Sequence, residues 1–310
     1  MRKRIDAHMH IYPERLLGMT SGIITYERNG RWIFGGKFAY QAMPEIMENS
    51  ACTVPTILRV MDNAGVERGV LMQGASDAII PDTIGAVQMH PDRFWGAMRL
   101  NPKASNLAER VQLYYDMGLT VIKCLTQVRA GMPNHYAGNP LDSEIHKAAW
   151  KVAEKYGLTV AIDAGFPGNP GYCVDAIRTM AEEFPGLRIV ICHMGLPQPG
   201  IENRPEEYAA WQRMRSLGKF DNMWFECSAL STFFIEEAYP FPTPQRIVKD
   251  FMDEYGPHKV IWASDMPGTL CDGTYRQLID TYDRSALLTD HEKDLLFYDN
   301  AIAAYGKREE

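Results

Sequence analysis

No stretch of the 310 residues approaches the roughly 20 consecutive apolar positions of a membrane span, which excludes a helix that crosses a bilayer. Basic runs are equally scarce. None exceeds Arg2-Lys3-Arg4 and the net charge is −7, so neither nucleic acid nor an anionic membrane surface is an expected partner. The six cysteines form no C-x-x-C pair, and Cys124, Cys192 and Cys227 lie in apolar strand-like runs; they read as reduced core thiols. "GASDAIIPDTIG" lacks the spacing of a dinucleotide loop, and neither a phosphate-cradling P-loop nor a G-x-S-x-G elbow occurs. The first strand starts within a few residues of Met1, with no room for a cleavable apolar segment. The expected location is therefore cytoplasmic.

What is present is an ordinary globular composition, 46% hydrophobic and 23% charged. Eight short apolar runs recur, at 4–8, 68–73, 94–99, 120–124, 159–163, 188–192, 223–227 and 259–264. Amphipathic stretches at 53–64, 107–117, 142–156, 173–184, 205–217, 244–255 and 275–286 lie between them, with Gly65, Gly118, Gly157 and Gly218 as helix stops and Ser143 as an N-cap. Strands apolar on both faces, most about 25 to 40 residues apart, predict parallel βα units. The fold class is α/β, a single (β/α)8 TIM barrel over 1–310 with one insertion at about 12–52. That insertion carries Tyr26, Trp32, Phe34, Phe38 and Tyr40, so it reads as an ordered lid over the barrel mouth. It could also serve as a dimer surface in a homo-oligomer.

Alternate residues of a strand share a face, so His8 and His10 point together at the rim where barrel active sites are built. Two imidazoles so spaced can chelate one divalent ion. Asp265 ends the eighth strand in "WASDMPG", on the stave beside them, where it can ligate the ion and accept a proton. His193, after strand six, reads as a polariser or proton donor, and Asp163, after strand five, as a second rim carboxylate. Lys123, Arg99, Arg129 and Gln73 are placed at the same mouth as donors to a substrate. Three cations at the active face of an acidic protein predict an anionic small molecule. Glu226 faces either the lumen or Lys123, and is left out of the site. His90, His146, His258 and His291 read as solvated, and His135 as a loop residue near the mouth.

"IDAHMH", "ICHMG" and "WASDMPG", in that order at the ends of strands one, six and eight, resemble the amidohydrolase-related family of metal-dependent TIM-barrel hydrolases. The resemblance covers nearly the whole chain. It implies one divalent ion, zinc or manganese, held by His8, His10 and Asp265, with Asp163 as a further ligand. It also implies one of two reactions: hydrolysis of a lactone or similar cyclic ester or amide, or non-oxidative decarboxylation of an aromatic or muconate-type acid. The decarboxylase branch usually carries a histidine where this chain has Asp163, which favours the lactonase branch. That branch does not always need a metal. In the expected reaction Asp265 and His193 are catalytic. A third reading, a non-catalytic ligand-binding barrel, predicts that part of the polar rim would be missing.

Overall fold

A computed structural model describes residues 2–72, 74, 76–127 and 140–307. The predicted eight parallel strands are present: β1 (Ile5–His10), β6 (Arg68–Met72), β7 (Phe94–Arg99), β8 (Val121–Leu125), β9 (Thr159–Asp163), β10 (Arg188–Ile191), β11 (Met223–Glu226) and β12 (Val260–Ile261), paired in that order. The remaining four strands, β2 (Thr20–Ser21), β3 (Ile24–Tyr26), β4 (Arg31–Phe34) and β5 (Phe38–Gln41), form a separate antiparallel sheet inside the 12–52 segment. Among the described residues no helix is long and apolar enough to cross a membrane.

The barrel closes between its last and first staves. β12 is only two residues long, but beyond it Ala7 N donates to Trp262 O (3.3 Å), Asp265 N to His8 O (2.8 Å) and His10 N to Met266 O (2.9 Å). One buried carboxylate replaces part of the missing ladder. Asp6 Oδ1 accepts from Ser264 N (2.8 Å) and His8 N (3.2 Å), while Tyr275 donates its hydroxyl to Oδ2 (2.8 Å). Burial pushes the Asp6 carboxyl up to about 6, against the pull of these donors.

Side chains inside the barrel form a small cluster that includes Ile5, Ala7, Val70, Ala97, Val121, Ala161, Val190 and Ile261, while a larger core fills the space between strands and helices. On β1 the register shifts between Asp6 and Met9. Ile5 and Ala7 belong to the inner cluster and Met9 to the outer core. The bulge thus changes the phase of the strand, so that odd positions face inward before it and His8 and His10 after it.

Most helices match their predicted ranges, for example α1 (Val54–Ala64), which stops at Gly65 in a left-handed conformation. α2 (Ile80–Met89) lies outside the predicted helices and grows out of "GASDAIIPDTIG". The Ser143 side chain makes no cap hydrogen bond, and its hydroxyl lies 2.9 Å from His146 Nδ1 instead. His146 is itself buried and stacked on Trp150, contrary to the solvated reading, because its helix turns that face onto the core.

Candidate active site

The C-terminal ends of the barrel strands open into a cavity of about 480 Å³. His8, His10, Lys123, Asp163, His193 and Asp265 all line it, so six of the residues singled out in the sequence meet at one place. Trp32, Tyr40 and Gln41 of the four-stranded sheet form part of the wall, with Phe166, Leu196 and Phe233 adding further apolar surface. Gln73 and Arg129, and the loop with His135, lie outside the described residues. Arg99 does not line the cavity. Its Nε lies 2.8 Å from Asp77 Oδ1 and its Nη1 donates to Gly74 O (2.9 Å).

Backbone strain aims several of these side chains. His193 (φ 56°), Met194 (φ 52°), Leu196 (φ 52°), Ala229 (φ 56°) and Asp265 (φ 60°) are left-handed non-glycine residues, all just past strand ends. Such conformations cost free energy and collect where a side chain must be presented in one direction.

The hydrogen bonds of the two metal-candidate histidines define their tautomers. His10 Nδ1 lies 3.2 Å from Met72 O, a carbonyl that can only accept, so Nδ1 carries the proton. His8 Nδ1 lies 3.0 Å from Glu226 Oε1. Burial would raise Glu226, but His8 and His193 beside it hold its carboxyl well below the usual range, so it too is an acceptor. Burial, followed by the charge of Lys123, lowers His8 to about 4. The two Nε2 atoms face each other at 3.2 Å, and with the proton on Nδ1 each would offer its lone pair to an ion. Asp265 Oδ1 completes the group, 3.0 Å from His10 Nε2 and 3.5 Å from His8 Nε2. These three atoms lie close enough together to hold one ion. Bonds of about 2.1 Å from one ion would set its ligand atoms about 3.0–3.4 Å apart, so two imidazoles and a carboxylate here fit a divalent ion with open positions.

A second grouping, His8, His193 and Glu226, is also close enough to hold an ion. Its atoms are already matched, however. Glu226 accepts from His193 N (3.1 Å) and Ser228 N (3.0 Å) besides His8, and Ser228 Oγ lies 2.7 Å from His193 Nδ1. Glu226 therefore orients His8 from behind, as the carboxylate partners of metal-bound histidines do. Asp163 belongs to neither group among the described residues. Its Oδ1 accepts from Gly165 N (3.0 Å) and its Oδ2 from Gln127 Nε2 (3.3 Å), with His193 Nε2 4.0 Å away.

Lys123 is fully buried, with Nζ 3.0 Å from Cys192 Sγ. Burial opposes its charge, but Cys192, Asp163 and Glu226 outweigh that and hold it above the ordinary ammonium range. Asp265 is likewise kept ionised: burial would raise it, and His8 together with the His10 hydrogen bond pulls it well below the usual carboxylate range. Asp163, Asp265 and Asp272 line the cavity and Glu226 is buried behind it, against the ammonium of Lys123 among the described residues, an excess of negative charge that suits a cation.

An eight-stranded parallel barrel with polar residues gathered at the C-terminal rim defines a TIM-barrel enzyme scaffold. The sequence matches the amidohydrolase family model over residues 5–307, and the chain belongs to that family. No curated protein matches it. Among solved structures, it is similar to a probable 2-pyrone-4,6-dicarboxylic acid hydrolase from Acinetobacter baumannii with citric acid bound: 19% identity, TM-score 0.71, covering 98% of this chain and 99% of that one. An amidohydrolase from Burkholderia multivorans with bound zinc gives 15% identity and a TM-score of 0.73 over 98% and 99% of the two chains. A 5-carboxyvanillate decarboxylase from Sphingomonas paucimobilis gives 15% and 0.62 over 99% and 100%. Likenesses this remote establish the shared fold.

Proposed function

We propose that the protein is a metal-dependent hydrolase that opens a lactone, or a similar cyclic ester or amide, on a small carboxylated or hydroxylated substrate. The observation that carries this reading is the meeting of His8 Nε2, His10 Nε2 and Asp265 Oδ1 at the wall of a cavity large enough for a small molecule. A zinc or manganese ion held by these three would polarise the reacting carbonyl and make water acidic enough to attack near neutral pH. The side chains do the rest. Asp265, kept ionised, takes the proton of the attacking water and returns it to the ring oxygen that leaves. With the Ser228 hydroxyl donating to His193 Nδ1, His193 Nε2 carries a proton and can donate to the oxygen that becomes negative, a contribution of about 3 kcal/mol. Asp163 Oδ2, 4.0 Å from that nitrogen, adds negative charge on its far side, and Lys123 supplies the positive charge that draws the substrate's anionic group. The four-stranded sheet acts as a lid that keeps bulk water out.

The test is to load the purified protein with zinc or manganese and screen lactones and aromatic carboxylic acids, following acid release and CO2 separately. Acid release from a lactone, abolished by chelator, is the expected result. CO2 without ring opening would replace hydrolysis with decarboxylation on the same residues, and no turnover with either ion would leave a binding barrel.

A further inference from the structure

We infer that Tyr12 is a further catalytic residue, a hydrogen-bond donor to the reacting oxygen of the substrate on the His10 side of the cavity. Residues 8, 10 and 12 continue one inward-facing row past the end of β1, and all three line the cavity. Tyr12 is over nine-tenths buried, yet its hydroxyl has no hydrogen-bond partner among the described residues. The oxygen is not among the fully buried unpaired atoms of the described residues, so it opens onto the cavity, where a bound molecule can meet it. The position of the ring is fixed rather than adaptable. Its backbone is pinned to Cys52 by two hydrogen bonds, 2.9 Å from Tyr12 N and 2.8 Å to Tyr12 O. The ring packs edge-on against Trp32 (5.4 Å between centroids) and lies 6.1 Å from His10. Room for the hydroxyl depends on Gly74, where an added Cβ would come within 3.3 Å of it. The result is a preorganised, unengaged O–H at the cavity wall, on a ring held by Cys52 and Trp32 with its hydroxyl beside Gly74.

This assignment rests on the hydrolytic reading above, so its test has one arm that needs no turnover. Tyr12→Phe keeps the ring and its packing and removes only the donor. Removing one such donor costs about 10²–10³-fold in kcat, and KM is expected to stay within about twofold. Metal content and melting temperature are expected to match the parent. In the second arm, phenylphosphonate, a tetrahedral anion, is titrated into both zinc-loaded proteins, and the variant is expected to bind it at least tenfold more weakly. If the parent opens no lactone, the hydrolytic reading falls while weaker phosphonate binding still supports the donor. Unchanged kcat, a loss confined to KM, or unchanged phosphonate affinity overturns the role of Tyr12. Should Tyr12→Phe lose metal or melt early, Gly74→Ala decides. Its methyl group must displace the hydroxyl by a few tenths of an ångström, and an unaltered kcat there refutes the inference.

Discussion

Glu226→Gln tests how the metal-candidate site is held. The side chain is fully buried and accepts three hydrogen bonds: from His8 Nδ1 at 3.0 Å and His193 N at 3.1 Å on Oε1, and from Ser228 N at 3.0 Å on Oε2. Glutamine has the same shape but one acceptor oxygen. With that oxygen toward His8, its NH2 faces Ser228 N–H and leaves a buried donor unpaired, which costs about 1–3 kcal/mol. His8 in turn exchanges an anionic partner for a neutral one, and charge-assisted hydrogen bonds are roughly twice as strong. A less basic, less firmly oriented Nε2 should weaken zinc binding about 10–100-fold. That is about 1.4–2.8 kcal/mol, the same order as the structural cost. The assay is zinc competition against a chromophoric chelator, beside a melt of the metal-free protein. Ser228→Ala is the control. Its hydroxyl meets His193 Nδ1, so the variant should lower kcat while leaving zinc affinity in place. A zinc Kd for Glu226→Gln within about twofold of the parent would refute the orienting role.

Asp265→Asn should fold normally, because asparagine tolerates the left-handed φ of 60° at that position, yet turnover should fall by at least about 10²-fold; a near-normal kcat removes Asp265 from proton transfer. Lys123→Met takes the ammonium from a lumen that holds three carboxylates, and is expected to raise KM for an anionic lactone by tenfold or more; an unmoved KM would deny the lysine a role in substrate attraction. The metal-free protein has two opposed acid responses. His8, lowered from 6.5 to about 4, gives stability that is present above pH 6.5 and lost as pH falls through that window, about 3 kcal/mol in all. Asp6, raised from 3.8 to about 6, does the reverse, since the folded state holds its proton more tightly and gains as pH falls below 6. Asp6→Asn should therefore lose stability more steeply than the parent between pH 6.5 and 4.5 in urea unfolding series, and parallel slopes would contradict the assignment.

The barrel was legible because burial on both faces leaves a mark in composition: runs such as "RIVIC" and "KVIWAS" suit only strands covered on each side. The metal-candidate set was legible for a related reason. His8 and His10 owe their common face to local periodicity, and barrel closure places the end of strand eight beside strand one. Local pattern could not reveal what depends on three-dimensional neighbours. Glu226 reads from the sequence as facing the lumen or Lys123, whereas its carboxylate meets His8, 218 positions away. Arg99 pairs with Asp77, a neighbour that the local pattern does not disclose. The four strands of the 12–52 sheet are only two to four residues each, too short for alternation to register. His146 looked solvated because its neighbours in the chain are polar, although its own side of α4 (Glu144–Lys155) faces the core. Tyr12 was the exception, since the i, i+2 rule that selected His8 and His10 selects it equally. The pinning of Tyr12 to Cys52 shows why the row continues: the chain stays extended until the insertion's far end returns to clasp it. Where an inserted segment is anchored at both ends to one extended strand, the inward face of that strand extends into the insertion, and functional residues should be sought there as well as in the barrel.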